Sequence, residues 1–345
     1  MNESFRLGIT HDFLKPDGTL GFGDIGLDSL SQNPRIQREF LPDYGSVLPA
    51  TVANDFDALL VLAPRVTEET LAGGDRLAIV ARFGVGYDNI DVAACTRHDV
   101  LLTITPSGVR RPVAVATLTF LLALAHKLPT KDRLTRAGRW GEKLDYMGLG
   151  LTGRTLGLVG LGNIGREILR VVAPLDMRVT AYDPFVPADE ARSLGVELLS
   201  LEALLQTADF VCVCCALTAQ THHLLNAERL ALMKPSAYLI NVARGPIVDQ
   251  AALTRLLQAG RIAGAGLDVF EKEPIDAADP LLTLDNVILA PHALCWTDEC
   301  FRGIGRSACQ SVLDVAAGRA PQDVVNREVL DRAGLKQKLA RYEKA

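Results

Sequence analysis

The chain has 345 residues, 48% hydrophobic and 22% charged, with a formal net charge of −5. That is enough to bury the cores of about two globular domains, and the acidic balance excludes the basic footprint of a nucleic-acid binder despite a local basic cluster in "HKLPTKDRLTRAGR". The opening "MNESFRLGITHDF" has no basic stretch leading into an apolar core, and the most apolar run, "VAVATLTFLLALAH", is shorter than the roughly 20 residues of a spanning helix, so no membrane is expected.

Along the chain, short apolar runs alternate with longer helical patterns, the signature of parallel α/β sheets. "FRLGIT", "ALLVLA", "LAIVARF" and "VLLTIT" read as strands in the first third. "TLGLVGLG", "RVTAYD", "DFVCVCCA", "AYLINVA", "GAGLDVF" and "NVILAP" read as a second set. Helices are expected at Gly165–Ala173, Ser200–Ala208, Asn226–Met233 and Gln250–Ala259, with a polar helical tail after Asp323. "TPSGVRRP" (Thr105–Pro112) and the region after Trp296 are the boundary candidates, with Pro112 in the first turn of the long apolar helix. The simplest arrangement inserts the middle domain, 112–302, into an outer one made of 1–111 and 303–345.

"TLGLVGLGNIGREI" places Gly160, Gly162 and Gly165 as G-x-G-x-x-G between an apolar strand and a helix. The first glycine permits a tight turn, the second lets a pyrophosphate approach the backbone, and the third packs helix against strand. The helix N-terminus offers free N–H groups and a positive dipole end to phosphates. The next strand ends in Asp183, where a carboxylate can accept both adenosine-ribose hydroxyls and would repel a 2′-phosphate. No arginine follows immediately, so NAD is expected in preference to NADP. This is a Rossmann pattern, and the expected fold is α/β, with two doubly wound parallel-sheet domains. The Rossmann NAD-binding domain is inserted into a flavodoxin-like substrate, or catalytic, domain.

Ligands of doubly wound sheets bind outside the carboxyl ends of the strands. There "AYLINVARG" ends in Arg244, "GAGLDVFEKEP" carries Asp268 and Glu273, and "NVILAPH" ends in His292. A guanidinium can grip a carboxylate and polarise an adjacent carbonyl. A histidine can give or take the proton that accompanies hydride transfer, and a carboxylate bonded to it fixes its orientation. Beside a nicotinamide, this set is what reduction of a 2-oxo acid requires.

The stretches "RFGVGYDNID", "GLVGLGNIGREI", "NVARGPIVD", "GAGLDVFEKEP" and "LAPHA", in that order, resemble the D-isomer-specific 2-hydroxyacid dehydrogenase family. The resemblance implies that Arg244 binds and polarises substrate, that His292 is the general acid/base with Glu273 as its partner, and that Gly84, Val85 and Gly86 hold the substrate carboxylate through backbone N–H groups. It implies cofactor contacts from Gly160, Gly162, Asn163, Ile164, Gly165 and Asp183, from Ala216, Leu217 and Thr218, and from Val242, Ala243, Arg244, Asp268 and His292. It also implies two domains that close over a small 2-oxo or 2-hydroxy acid, and a homodimer. A dehydrogenase of a phosphorylated substrate such as 3-phosphoglycerate, or a non-catalytic NAD-binding corepressor, would share these motifs, although no room is seen for an extra C-terminal regulatory domain.

Seven cysteines, an odd number set mostly in apolar runs, suit buried thiols in a reducing, cytoplasmic setting. Cys212 and Cys215 have CxxC spacing, but in an extended strand they face apart, and Cys295 and Cys300 lack a second ligand pair, so no metal is expected. Cys214 and Ala216 stand where the family commonly has histidine and proline, and Val115 replaces a glutamate. His222 and His223 read as solvated or capping residues. Trp296 either walls the substrate pocket or packs between domains; Arg110 and Arg111 either bind an anionic group or are solvated charges. The first fifty residues match no family pattern.

Overall fold

Apolar runs of three to five residues, β-branched and leucine-rich, suit strands covered on both faces, and all ten runs read as strands in the sequence form them. The computed structural model describes residues 4–343. The chain divides into two compact units, Met1–Val109 with Trp296–Ala345, and Arg110–Cys295.

In the first unit, β1 (Phe5–Ile9), β2 (Ile36–Phe40), β3 (Ala58–Val61), β4 (Ile79–Arg82) and β5 (Leu101–Thr103) pair in the order β2-β1-β3-β4-β5, all parallel. This is the flavodoxin-like order. In the second, β6 (Thr155–Val159), β7 (Arg178–Tyr182), β8 (Glu197–Leu198), β9 (Phe210–Val213), β10 (Tyr238–Asn241), β11 (Gly264–Leu267) and β12 (Val287–Leu289) pair in the order β12-β11-β10-β9-β6-β7-β8. All of these pairs are parallel too, and the order reverses between β6 and β9, as in a Rossmann sheet. β2 and β8 have no counterpart in the sequence reading. Both are edge strands, and the residues of β2, "IQREF", are almost all exposed, so neither carries an apolar run.

The long apolar helix runs Pro106–Ala125, which corrects two expectations. Pro112 lies inside the helix rather than in its first turn, a place that Pro106 takes without losing a hydrogen bond. At 20 residues the helix is also long and apolar enough to cross a membrane by length and composition, but 61% of its most apolar window is buried inside the protein. Phe120 packs so closely under β11 that a Cβ on Gly266 would lie 2.7 Å from its ring. The second crossing between units precedes the helix Asp298–Ala316, where Thr297 caps the N-terminus through its side chain. A junction at 302/303 would cut this helix, whose buried Cys300, Ile304, Ala308, Val312 and Val315 form one continuous face.

The helix Ala333–Glu343 is tied to the first unit by polar contacts. Tyr342 donates to Asp57 Oδ1 at 2.8 Å, and the Lys338 ammonium donates to the carbonyls of Leu77 and His98, both at 2.8 Å. Lys338 is 4% exposed, and burial pushes its pKa down to about 8. Below pH 8 it is charged in both states, and the fold bears the burial cost. Between pH 8 and the ordinary 10.5 the unfolded chain holds a proton that the folded one lacks, so this group adds stability as pH rises. Wild type should therefore gain on Lys338→Met by up to about 3 kcal/mol over that interval, measured as the difference in denaturant unfolding free energy. A pH-independent difference would show that the lysine is not titrating there.

Candidate active site

The glycine loop meets the steric demands of each position. Gly160 has φ +107°, and a Cβ there would lie 2.8 Å from the Cys215 amide nitrogen. A Cβ on Gly165 would lie 2.6 Å from the Gly160 carbonyl, so the helix Asn163–Val172 approaches the strand end as only glycine allows. Gly162, by contrast, has open space around its missing Cβ and caps the helix without a side-chain hydrogen bond. Open backbone at a helix N-terminus is what a pyrophosphate needs. Asp183 closes the loop: its Oδ2 accepts from the Leu161 amide at 2.8 Å and its Oδ1 from Phe185 at 2.9 Å.

Beyond β9, Ala216 and Thr218 are exposed and Leu217 half-buried, and Thr221 holds the turn by donating to the Ala216 carbonyl. Cys212 and Cys214 pack with the core on one side of the sheet, Cys215 with the core on the other. The CxxC spacing therefore brings no pair together. Burial and the neighbouring Cys212 push the Cys214 thiol well up, with Cys212 the larger cause, and burial takes Cys215 to about 11.

At the end of β10, buried Asn241 stitches the turn that presents Arg244. Its Oδ1 accepts from the Ala243 amide and its Nδ2 donates to the Arg244 carbonyl, each at 3.0 Å. Val242, Ala243 and Arg244 are half-buried along this turn. Gly245 touches the loop after β11 so closely that a Cβ would overlap the Phe270 carbonyl at 1.9 Å. Asp268, 4% exposed, accepts from the amides of Ala293 at 2.9 Å and Leu294 at 3.1 Å. Burial nevertheless leaves its carboxyl above the ordinary value.

Those amides follow His292, which stands in the left-handed region at φ +55°. Such a conformation costs of order 1–3 kcal/mol in a non-glycine residue and persists only where its surroundings impose it. His292 Nδ1 lies 2.7 Å from Glu273 Oε2, and Glu273 Oε1 accepts from the Phe270 amide at 2.9 Å. Burial works to raise the Glu273 pKa, but the His292 hydrogen bond, the Phe270 amide and the charges of His292 and Arg244 hold it below the ordinary carboxylate value. An ionised carboxylate on Nδ1 makes that nitrogen the donor and leaves proton exchange to Nε2.

In the first unit, the chain leaves β4 through Gly84, Val85 and Gly86. Gly84 has φ +126°, and its amide is engaged with Thr105 Oγ1 at 3.0 Å. Trp296, 52% exposed, packs edge-on against Phe22 at 5.6 Å and Phe301 at 5.4 Å. Phe22 belongs to the N-terminal stretch that matches no family pattern, so these residues form one aromatic group within their own unit.

Arg110 and Arg111 are half-exposed charges that lean on one carboxylate. Both pair with Glu167, at 3.5 and 3.1 Å, on the glycine-loop helix. Glu167 is buried, also pairs with Arg170 at 3.0 Å, and sits below the ordinary carboxylate value because these cations outweigh its burial. Likewise His223 is not simply solvated: its Nε2 lies 2.7 Å from Glu271 Oε1. Nothing local in the sequence marks these pairs, since their partners lie 48 to 57 residues away.

Residues 118–293 match the family model for the D-isomer specific 2-hydroxyacid dehydrogenase, NAD binding domain. A glyoxylate reductase of Korarchaeum cryptofilum is 40% identical over 80% of this chain and 84% of its own. A D-3-phosphoglycerate dehydrogenase of Methanocaldococcus jannaschii is 37% identical over 79% of this chain but 52% of its own, so the chain spans about half of that relative. A solved structure from Thermus thermophilus superposes with a TM-score of 0.81 at 32% identity, covering 93% of this chain and all of that one. The chain belongs to the D-isomer-specific 2-hydroxyacid dehydrogenase family. It is an oxidoreductase acting on the CH–OH group of donors, with a domain of the type that binds a nicotinamide cofactor.

The loop geometry separates two glycine substitutions. Gly165→Ala should cost ~1–3 kcal/mol of stability through overpacking. Gly162→Ala should unfold like wild type yet bind NADH roughly tenfold more weakly, by titration of NADH fluorescence. Equal effects of the two on binding and melting would refute this division.

Proposed function

We propose that the protein is an NAD-dependent D-2-hydroxyacid dehydrogenase working on small 2-oxo acids such as glyoxylate. The observation that carries this reading is the His292–Glu273 pair at 2.7 Å, beside the Arg244 turn and Asp268 at the carboxyl ends of adjacent strands. In this reading Arg110–Cys295 is the cofactor unit, and Met1–Val109 with Trp296–Ala345 is the substrate unit.

The nicotinamide, when bound, supplies or accepts the hydride at the carbonyl carbon. Gly160, Gly162, Asn163, Ile164 and Gly165 would take the pyrophosphate on open backbone. Asp183, its carboxylate fixed by two amides, would take the ribose hydroxyls and disfavour a 2′-phosphate. The loop 216–218, Val242 and Ala243 would flank the cofactor, with Asp268 beneath the nicotinamide. Arg244 would grip the substrate carboxylate and polarise the carbonyl. The Val85 and Gly86 amides would share that carboxylate, with Gly84 held in place by Thr105. His292 would deliver a proton from Nε2 to the carbonyl oxygen in reduction and take it back in oxidation, while Glu273 balances the imidazolium.

A small substrate is favoured by the glyoxylate reductases among the relatives. We further propose a homodimer in a reducing, cytoplasmic setting. The exposed Leu128, Trp140, Leu144 and Met147, close together in sequence, favour such an assembly.

The test is NADH oxidation with glyoxylate, hydroxypyruvate, pyruvate, phenylpyruvate and phosphohydroxypyruvate. Glyoxylate and hydroxypyruvate should rank first, and NADPH should serve poorly. His292→Ala should lower kcat by ~10²–10⁴-fold while NADH still binds. Near-normal turnover in that variant would overturn the assignment of His292, and silence across the panel would overturn the substrate class.

A further inference from the structure

The second unit holds two histidine–glutamate pairs, one through Nδ1 of His292 and one through Nε2 of His223. His292 (φ +55°) meets Glu273, and His223 (φ +47°) meets Glu271, each at 2.7 Å. Both glutamates stand in the same loop after β11, two residues apart. Two non-glycine residues in the left-handed region, each locked to a carboxylate of one loop, point to a constraint on that loop.

His223 joins three loops that leave adjacent strands. It closes the segment after β9 that contains Ala216–Thr218. Its amide donates to the Pro246 carbonyl at 2.8 Å, in the turn that follows Arg244. Its ring reaches Glu271, which leads into Glu273. Glu271 is held further by Gln250: Glu271 Oε1 accepts from the Gln250 amide at 3.1 Å, and the Glu271 amide donates to Gln250 Oε1 at 3.0 Å. Gln250 opens the helix Gln250–Gln258 and is itself anchored to Asp279 at 2.8 Å. The loop is thus fixed at Glu271 by two partners before the chain turns, through the Phe270 amide on Glu273 Oε1, to present the carboxylate to His292.

We propose that His223 is a positioning residue for the acid/base pair, with its bond to Glu271 setting where Glu273 stands relative to His292. This rests on the assignment of His292 and Glu273 above. It extends that assignment to a histidine that need not touch substrate or cofactor. Removing the ring frees the loop at one of its two anchors, so the Glu273–His292 distance spreads over a wider range and proton transfer slows. The His223 amide still donates to the Pro246 carbonyl, so the 216–218 segment and the cofactor contacts assigned above stay as they are.

The experiment compares wild type, His223→Ala, His223→Gln, His223→Phe and His292→Ala in the intact protein. For each, kcat and KM are measured across pH with the best 2-oxo acid, together with the NADH Kd and the melting temperature. His223→Ala should lower kcat roughly tenfold, with the NADH Kd within twofold of wild type and the acid limb of the kcat profile moved. His223→Gln, whose amide nitrogen can stand in for Nε2, should recover most of the loss. His223→Phe keeps the ring's bulk without a donor at Nε2 and should repeat the kcat loss, so it replaces His223→Ala as the test if that variant does not fold.

A change in melting temperature without a change in kcat would overturn the proposal, as would a shift confined to the NADH Kd or a failure of His223→Gln to rescue. If His292→Ala turns over normally, the underlying assignment fails. If His292→Ala is inactive and His223→Ala is normal, only the role of His223 fails.

Discussion

A buried carboxylate that accepts from backbone amides holds that backbone still, and Asp268 does this to the amides of Ala293 and Leu294. Those amides fix the chain just after His292, where φ is +55° and the residue would otherwise relax. The direction of the imidazole and its reach to Glu273 depend on this bond between neighbouring strand ends. The site is therefore preorganised by backbone contacts, and a pair of half-exposed side chains is held at hydrogen-bond distance in water.

The same arrangement recurs around it. Asn241 stitches the Arg244 turn, Asp183 ties the glycine loop to the end of β7, and Gly245 lets two loops touch. In each case a short polar side chain or a missing Cβ joins the ends of neighbouring strands, where a parallel sheet leaves its chain ends free. The chemistry-bearing residues are on loops, but the loops are bonded to one another and to the sheet.

Much of this is legible in the sequence because the signals are local. Strands covered on both faces are short apolar runs, and a glycine loop between strand and helix has its own spacing. β2 and the two-residue β8 escape such a reading because edge strands do not need apolar residues. The extent of the helix Pro106–Ala125 escapes it because polar residues and two prolines interrupt its first turns. The aromatic group of Phe22, Trp296 and Phe301, the pairing of Arg110 and Arg111 with Glu167, and that of His223 with Glu271 all depend on residues far apart in the chain. Such contacts are set by topology, and no spacing rule encodes them. His222 and His223 look alike as letters; the backbone at φ +47° and the Glu271 carboxylate distinguish them.

The cysteines beside the glycine loop have a consequence for handling and for chemistry. A thiol is a nucleophile only as thiolate, and Cys214 and Cys215 are held as neutral thiols far above physiological pH. Cys214 donates its hydrogen to the Gly160 carbonyl at 3.0 Å, so the sulfur braces the first turn of the glycine loop. Sulfur here acts as packing material, and peroxide or alkylating reagents at neutral pH meet a loop whose thiols are slow to answer them.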